Sequence, residues 1–329
     1  MSDWQLYEGS GTVHDGIARL PAPPRWRAFD ATAGQPHAAL DHPGWSPGDL
    51  IKGASYRAHA DLLAPVNAAL YLRRPLLVTG QPGVGKSTLA YSIAYELGLR
   101  PVLRWSITSS STLKDSLYRY DAIGRLQDVS MKLSENRTSI GRYLRLGPLG
   151  TALLPSDTPR VLLIDEIDKA DIDLPNDLLS AFEEGEYEIP ELARMADQAP
   201  EVMITTADGT EPAQIRQGRV RCRQFPLVVM TNNAEREFPG AFLRRCLRLD
   251  IERPNAEQLT QIVEAQLEEE VTQEITDLIG QFEKRAAGGE LATDQLLNAI
   301  QLTCRTDLDP AERAGLLKLL LRYLSPEPA

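Results

Sequence analysis

Pro75-Leu76-Leu77-Val78-Thr79-Gly80-Gln81-Pro82-Gly83-Val84-Gly85-Lys86-Ser87 is the stretch on which the fold turns. Its first five residues form a short apolar run, the mark of a strand buried on both faces. Gly80 to Ser87 fits GxxxxGK[ST], and a helix is expected from Ser87 to Leu97, with Gly98 placed to end it. Strand, glycine loop and helix in that order make a cradle for phosphate. Glycines bring the backbone close with no Cβ in the way. Their N–H groups and the positive end of the helix dipole face the anion. Lys86 adds a point charge for the β- and γ-phosphates, Ser87 offers a hydroxyl to Mg²⁺, and Thr88 lies in the same turn.

Working outward, Leu62, Leu63, Val66, Ala69, Leu70 and Leu72 approximate helical spacing, so a helix should precede the first strand and run to about Tyr71. Val102–Trp105, Val161–Ile164 and Leu227–Met230 read as further strands, separated by helical stretches. That alternation predicts an α/β fold, a parallel sheet covered by helices. In such a sheet, ligands sit off the carboxyl ends of the strands. The strand 161–164 ends in Asp165-Glu166, which would face the phosphate loop. Asp165 is placed to hold Mg²⁺ through water, and Glu166 to act as general base on an attacking water. Asp168, Lys169 and Asp171 are expected to cap or pair at the surface. The strand 227–230 runs into Thr231-Asn232-Asn233, which is either an amide pair that orients the water or a plain Asn-rich turn. Phe242-Leu243-Arg244-Arg245-Cys246 sets two arginines together. Each reads as a surface charge, an interface ion pair or an arginine finger for a neighbour's site.

Three regions are expected: an irregular arm at 1–53, an α/β body at 54–253 and an all-helical segment at 254–329. The arm is dense in proline and glycine, yet it holds Trp4, Trp26 and Trp45, three of the four tryptophans. It should be irregular but able to dock through them. After Pro254 the strand signal vanishes. Asn255 with Gln258, and Asp309-Pro310-Ala311-Glu312, are helix starts; Leu316, Leu317, Leu320, Leu321 and Leu324 give the last helix a wide apolar face. Within the body, Val202–Thr206, a turn at Asp208-Gly209 and a return through Val220 read as a hairpin. Arg219, Arg221 and Arg223 would share one face of it, either to meet an acidic partner or to pair with Glu184, Glu186 and Glu188.

Composition narrows the classes. With 35 Lys plus Arg against 46 Asp plus Glu, the net charge is -11, which disfavours direct binding of duplex nucleic acid. Residues 251–329 hold 15 acids and 7 bases, a net of -8, densest at 268–270; the remaining 31 acids and 28 bases net only -3. Three cysteines without a CxxC pair argue for a reducing compartment and against structural zinc. All four histidines lie in the first sixty residues, so no later segment can build a histidine-based metal site or triad. Met1 to Gly11 lacks the apolar core of a signal peptide, and no apolar run reaches the roughly 18 residues of a membrane span. A cytoplasmic protein is expected.

These motifs, in this order, resemble the AAA+ ATPases, and among them the MoxR-like branch. The resemblance is carried by Pro75 to Ser87, by Leu163-Ile164-Asp165-Glu166-Ile167-Asp168-Lys169-Ala170, by Thr231-Asn232-Asn233 with Glu235-Arg236-Glu237, and by Phe242 to Cys246. Pro175-Asn176-Asp177-Leu178-Leu179 followed by Glu188-Ile189-Pro190 also fits, and coverage runs from about Tyr56 to Pro254. The resemblance implies a P-loop AAA+ core followed by a helical lid. It makes Gly80, Gln81, Pro82, Gly83, Val84, Gly85, Lys86, Ser87 and Thr88 the Walker A loop, with Asp165 and Glu166 as Walker B. Asn233, or its neighbour Asn232, becomes sensor 1, Arg244 and Arg245 become arginine fingers, and Tyr56 the adenine contact. It implies ATP and Mg²⁺ as cofactors, bound at the boundaries of a ring, most often a hexamer. The ring would remodel a protein partner, often of von Willebrand factor A type. The sequence departs from the family at sensor 2, where Ala292-Thr293-Asp294-Gln295 stands in place of an arginine. A nucleotide-gated scaffold and the ATPase subunit of a defence-type nuclease effector are the other readings.

Overall fold

In a computed structural model the described residues are 4–29, 44–131, 139–209, 212–267, 271–286, 291–303, 306 and 308–322. The acidic run 268–270, and with it His37, His42, Cys304, Arg305 and Leu324, lie outside them. In chain order the strands are β1 (Leu76–Gly80), β2 (Leu103–Ser106), β3 (Tyr118–Tyr120), β4 (Leu144–Leu146), β5 (Val161–Asp165), β6 (Glu186–Glu188), β7 (Glu201–Ile204), β8 (Ala213–Arg216), β9 (Arg219–Arg221), β10 (Leu227–Asn232) and β11 (Leu247–Ile251). Five of them form the central sheet in the order β11-β1-β10-β5-β2, all pairs parallel.

The continuous apolar runs follow from this position. Side chains alternate across a strand, so a strand covered on both sides must be apolar at every step. Leu76, Val78, Val161, Leu163, Leu227 and Val229 enter one core. Leu77, Leu162, Ile164, Val228 and Met230 enter the other. The strand β11 at the sheet edge was not expected from sequence. Its Leu247-Arg248-Leu249-Asp250-Ile251 alternates, and only Leu249 is fully buried. An edge strand wetted on one face gives a two-residue period that is easily read as loop.

The α-helices up to Ser130 are α1 (Pro47–Ser55), α2 (Ala60–Leu72), α3 (Lys86–Glu96), α4 (Leu113–Leu117) and α5 (Ala122–Ser130). The helix α1 occupies residues expected to be irregular. Ser46 caps it by accepting the Asp49 N–H, and Pro47 stands at the first helical position, where proline is tolerated. Its Gly53 packs against α3, where an added Cβ would meet the Tyr95 Cβ at 2.5 Å.

The arm before α1 docks on the body, and its tryptophans do so unequally. Trp45 is buried and donates its indole N–H to the Leu99 carbonyl at 3.3 Å. Trp4 meets Tyr71 edge-on, with ring centroids 5.9 Å apart. Trp26 stays 80% exposed. The main anchors are instead Leu6 and Tyr7, both fully buried, and two polar side chains of the body. Asn67 accepts the Leu6 and Tyr7 N–H groups at 2.7 and 3.0 Å and donates to the Tyr7 carbonyl at 2.8 Å. Glu96, at the end of α3, accepts from the backbone of Glu8, Gly9 and Gly11.

The expected hairpin is rearranged. The strand β7 pairs with β8, not with residues 219–223, and β9 pairs with β6. Arg219 and Arg221 therefore lie across from Glu188 and Glu186, at 3.7 and 3.4 Å, and Arg223 pairs with Asp157 at 2.5 Å. The three arginines are matched by acids of their own chain.

Four helices follow the body: Ala256–Leu267, Gln273–Ala286, Thr293–Thr303 and Pro310–Leu320. They enclose a core of their own around Leu259, Val263, Phe282, Leu296 and Ile300. Both expected starts are present. Asn255 and Gln258 exchange side-chain and backbone bonds at 3.0 and 2.8 Å, and Asp309 with Glu312 forms a full capping box. On the last helix Leu317 and Leu320 lean on this core and Leu321 is buried, while Leu319 is exposed. The whole is a parallel sheet covered by helices, followed by a small all-helical unit with its own core. Among the described residues no helix is long and apolar enough to cross a membrane.

Candidate functional site

The carboxyl ends of β1, β5 and β10 open on a cavity of about 990 Å³. Its floor is the loop from Pro82 to Thr88, its walls include Arg104, Asp165, Glu166 and Asn233, and its roof comes from Tyr56 and the start of the helix Thr293–Thr303. This size suits a nucleotide-class ligand. The loop turns through two left-handed glycines, Gly83 at φ +77° and Gly85 at φ +90°. Space demands glycine as well. A Cβ on Gly83 would stand 2.2 Å from the Ala292 Cβ, and one on Gly85 would press on the Tyr56 ring at 3.2 Å.

The amides of Gly83, Val84 and Gly85 donate to no acceptor among the described residues. Together with the first turn of α3 they are unspent donors at a helix N-terminus, which fits an anionic group. Gly80 and Gln81 do not line the cavity; their carbonyls hold Lys86. The Lys86 ammonium donates to Gly80 O at 2.6 Å, Gln81 O at 2.8 Å and Asn233 Oδ1 at 2.7 Å. Burial pulls the Lys86 ammonium below the usual lysine range, against the opposing pull of Asp168, Glu166 and Asp165.

Asp165 ends β5 and is surrounded by donors. Its Oδ1 accepts from the Ser87 hydroxyl at 2.6 Å and the Thr231 hydroxyl at 2.8 Å, and its Oδ2 from Arg104 at 2.6 Å. Burial pushes this carboxyl up, but the bonds from Ser87, Thr231 and Arg104 outweigh it, so it lies below the ordinary carboxylate range. An ionised carboxylate beside a serine hydroxyl is a hard-oxygen pair that fits Mg²⁺, which needs one or two protein ligands when phosphates supply the rest. Among the described residues no cluster of three or more His, Cys, Asp or Glu could hold a metal alone.

Glu166 adopts a left-handed backbone at φ 61° and ψ 53°, which a non-glycine residue enters at a cost. Its N–H is fixed by Thr231 Oγ1 at 2.7 Å, and its carboxylate pairs with Lys169 at 2.8 Å. Asn233 lines the cavity, whereas Asn232 is buried and bonds Thr79 at 3.3 Å. The geometry thus separates the two asparagines that sequence left open. Asp168 differs from expectation. It is buried, and its Oδ2 accepts the Asn233 N–H at 2.8 Å and the Glu235 N–H at 3.4 Å, so it shapes the loop carrying Asn233.

Arg244 and Arg245 lie away from this chain's own cavity. Arg245 is tied to Glu183, while the Arg244 guanidinium is exposed and makes no hydrogen bond or ion pair among the described residues, feeling Glu183 only through space. At the lid, the Thr293 N–H reaches Gly83 O at 3.4 Å, and Arg253 joins Gln81 to the Ala286 carbonyl. Arg313 pairs with Glu274 inside the lid. Sequence reading missed Arg104 and Thr231. An arginine inside a strand and a threonine before two asparagines carry no local signal, because their partners come from another strand.

A family model for the AAA domain (dynein-related subfamily) matches residues 75–246. No curated protein matches the chain. Among solved structures, the FIGL-1 AAA domain in complex with ADP is 18% identical, with 78% of this chain and 74% of that chain covered at a TM-score of 0.37. PCH-2 of C. elegans is 15% identical, with 76% of this chain covered at a TM-score of 0.38. This chain spans 60% of the PCH-2 chain. Likeness at that level carries no functional weight. The family model, which takes in more than half of the 329 residues and every strand of the central sheet except its edge strand β11, is decisive: the chain belongs to the AAA domain family, dynein-related subfamily, a branch of the AAA+ ATPases.

Proposed function

We propose that the chain is a MoxR-like AAA+ protein that binds and hydrolyses ATP with Mg²⁺ at the boundaries of a ring, where each site is built from two neighbouring subunits, and uses the turnover to remodel a protein partner. One observation carries this reading: Lys86, Ser87, Asp165, Glu166 and Asn233, from three parallel strands and one helix, converge on one cavity. The loop amides and Lys86 bind the phosphates. Ser87 and Asp165 would hold Mg²⁺, which neutralises charge on the β- and γ-oxygens. Glu166 takes the proton of the attacking water, and the Asn233 amide orients that water. Tyr56, whose ring lies beside Gly85, would meet the adenine edge. Arg244, exposed and unpaired among the described residues, is the better candidate of its pair to reach a neighbour's γ-phosphate. For the partner, α5 offers an exposed apolar face of Ile123, Leu126 and Val129. A von Willebrand factor A-type protein or a defence-system effector is the class of partner proposed.

The test is nucleotide binding and turnover by three variants. Lys86→Ala should abolish binding. Glu166→Gln should keep binding and lose turnover, and Asn233→Ala should lower turnover far more than affinity. Normal ATP binding by Lys86→Ala would refute the phosphate-loop assignment. A second reading, a nucleotide-gated scaffold, is favoured by the Lys169–Glu166 ion pair, which occupies the base in this conformation. Lys169→Ala separates the two. If that pair restrains turnover, the variant hydrolyses ATP faster than the parent.

A further inference from the structure

Asp165 has both oxygens occupied, one by two hydroxyls and the other by a guanidinium. That guanidinium comes from Arg104, on the neighbouring strand β2. The register sets Arg104 beside Leu163 and Ser106 beside Asp165, so the arginine sits two positions short of the carboxylate and its long side chain spans the gap. Arg104 is on the wet face of its strand and its side chain is 52% exposed, against 9% for Asp165. It also lines the cavity floored by the phosphate loop. The pairing is not surface decoration on a solvated acid. It is a half-exposed cation resting on a buried carboxylate.

Charge matching makes the arrangement specific. Six acids line the cavity, Asp61, Asp165, Glu166, Asp250, Glu252 and Asp294, and two of them, Asp165 and Glu166, stand at the end of β5 beside the phosphate loop. Glu166 is matched by Lys169 at 2.8 Å. Lys86 feels Asp165 only through space, because its three donors are engaged by two carbonyls and an amide oxygen. Among the described residues Arg104 makes the direct ion pair with Asp165. A polyphosphate entering beside an unmatched carboxylate would meet like charge, whereas a matched one leaves Lys86 and the loop amides to act without opposition. A divalent cation approaching Asp165 must in turn displace or share with the guanidinium.

We propose that Arg104 is a built-in counter-cation of this site, which stands on the metal side of Asp165 and lets the cavity take a nucleoside triphosphate without a divalent ion. It rests on the reading of the cavity as a phosphate site. Arg104 thereby sets how strongly nucleotide binding depends on magnesium: it supports binding when the metal is scarce and competes with the metal when it is plentiful. The guanidinium is a planar fork with a fixed charge, which lysine reproduces only as a point charge.

The test measures ATP binding by isothermal titration calorimetry in two arms, excess EDTA and a magnesium titration, for the parent, Arg104→Ala, Arg104→Lys and Lys86→Ala. In EDTA, Arg104→Ala should bind ATP about tenfold more weakly than the parent, the scale of one charge-assisted contact. In the titration its half-saturating magnesium concentration should fall, because the competitor is gone. Arg104→Lys should recover part of the EDTA affinity. Equal affinities of Arg104→Ala and the parent in EDTA, or a raised magnesium midpoint, would overturn the counter-cation. Failure of the parent itself to bind ATP in either arm would overturn the phosphate-site reading, which Lys86→Ala checks independently. Thermal melting accompanies each variant, and Arg104→Lys carries the comparison if Arg104→Ala melts early.

Discussion

Replacing Glu96 by alanine should release the arm from the back of the phosphate-loop helix. Glu96 is fully buried at the end of α3. Its Oε1 accepts the Glu8 and Gly9 N–H groups at 2.5 and 3.0 Å, and its Oε2 the Gly11 N–H at 3.0 Å and the Ser10 hydroxyl at 3.2 Å. His14 Nε2 lies 3.3 Å from Oε1. Gly9 and Gly11 reach these positions through left-handed backbone, at φ +70° and +69°. Removing the carboxylate strands three N–H groups, one buried and two part-buried, at about 1–3 kcal/mol each with the part-buried pair at the low end. The loss has a ceiling, because the arm can peel into water instead. Peeling exposes Leu6 and Tyr7, at about 1.5–3 kcal/mol each. The smaller of the two penalties governs, so we expect about 3–6 kcal/mol. Glu96→Gln keeps one acceptor and should cost about 1–3 kcal/mol. Urea unfolding gives the size of the loss, and limited proteolysis gives its location, through early cuts before residue 44. A loss below about 1 kcal/mol with the arm still protected would refute the reasoning, since ordinary surface changes cost that little.

Three further outcomes follow from single features. Mixing Arg244→Ala protein with Lys86→Ala protein should restore turnover that each lacks alone, and Arg244→Ala alone should cost about 10³-fold in rate, while Arg245→Ala, losing a contact to Glu183, should cost far less. Burial pushes the Cys222 and Cys246 thiols up to about 12, so neither should react with a thiol reagent at pH 8 until the protein is unfolded. The Glu312 and Ala311 amides hold the Asp309 carboxyl below its ordinary value, so its capping is complete above the unfolded pKa and is lost as pH falls through the folded one. Protection from amide exchange at the start of the last helix, taken relative to the unfolded chain at the same pH, should therefore fall on acidification below about pH 4, and Asp309→Asn should remove that dependence.

Short-range features of the molecule were legible in the chain. The strand β1, the glycine loop and the start of α3 are contiguous, and each is specified by its own residues: a doubly buried run, glycines with left-handed backbone and a helix N-terminus. The capping boxes at Asn255 and Asp309 are equally local, since donor and acceptor lie three residues apart. The apolar runs 161–164 and 227–230 likewise announced buried strands, because a strand with two covered faces has no polar alternative.

What the chain alone left open depends on partners brought together from far away. Asn232 and Asn233 are indistinguishable as neighbours, and only the side of β10 that faces Lys86 separates them. Arg219 and Arg221 look free until β9 lies against β6 and its glutamates. Asp168 looks like a surface acid until the Asn233 loop folds over it. Glu96, Asn67 and Arg104 are ordinary residues of helix and strand, and they acquire their roles from an arm about 88 positions away and a strand 61 positions on. Local pattern sets which elements form, because dihedral preference and burial period act within a few residues. Tertiary closure decides which charges are matched, because a pairing across such distances exists only once the sheet has brought both partners to one end.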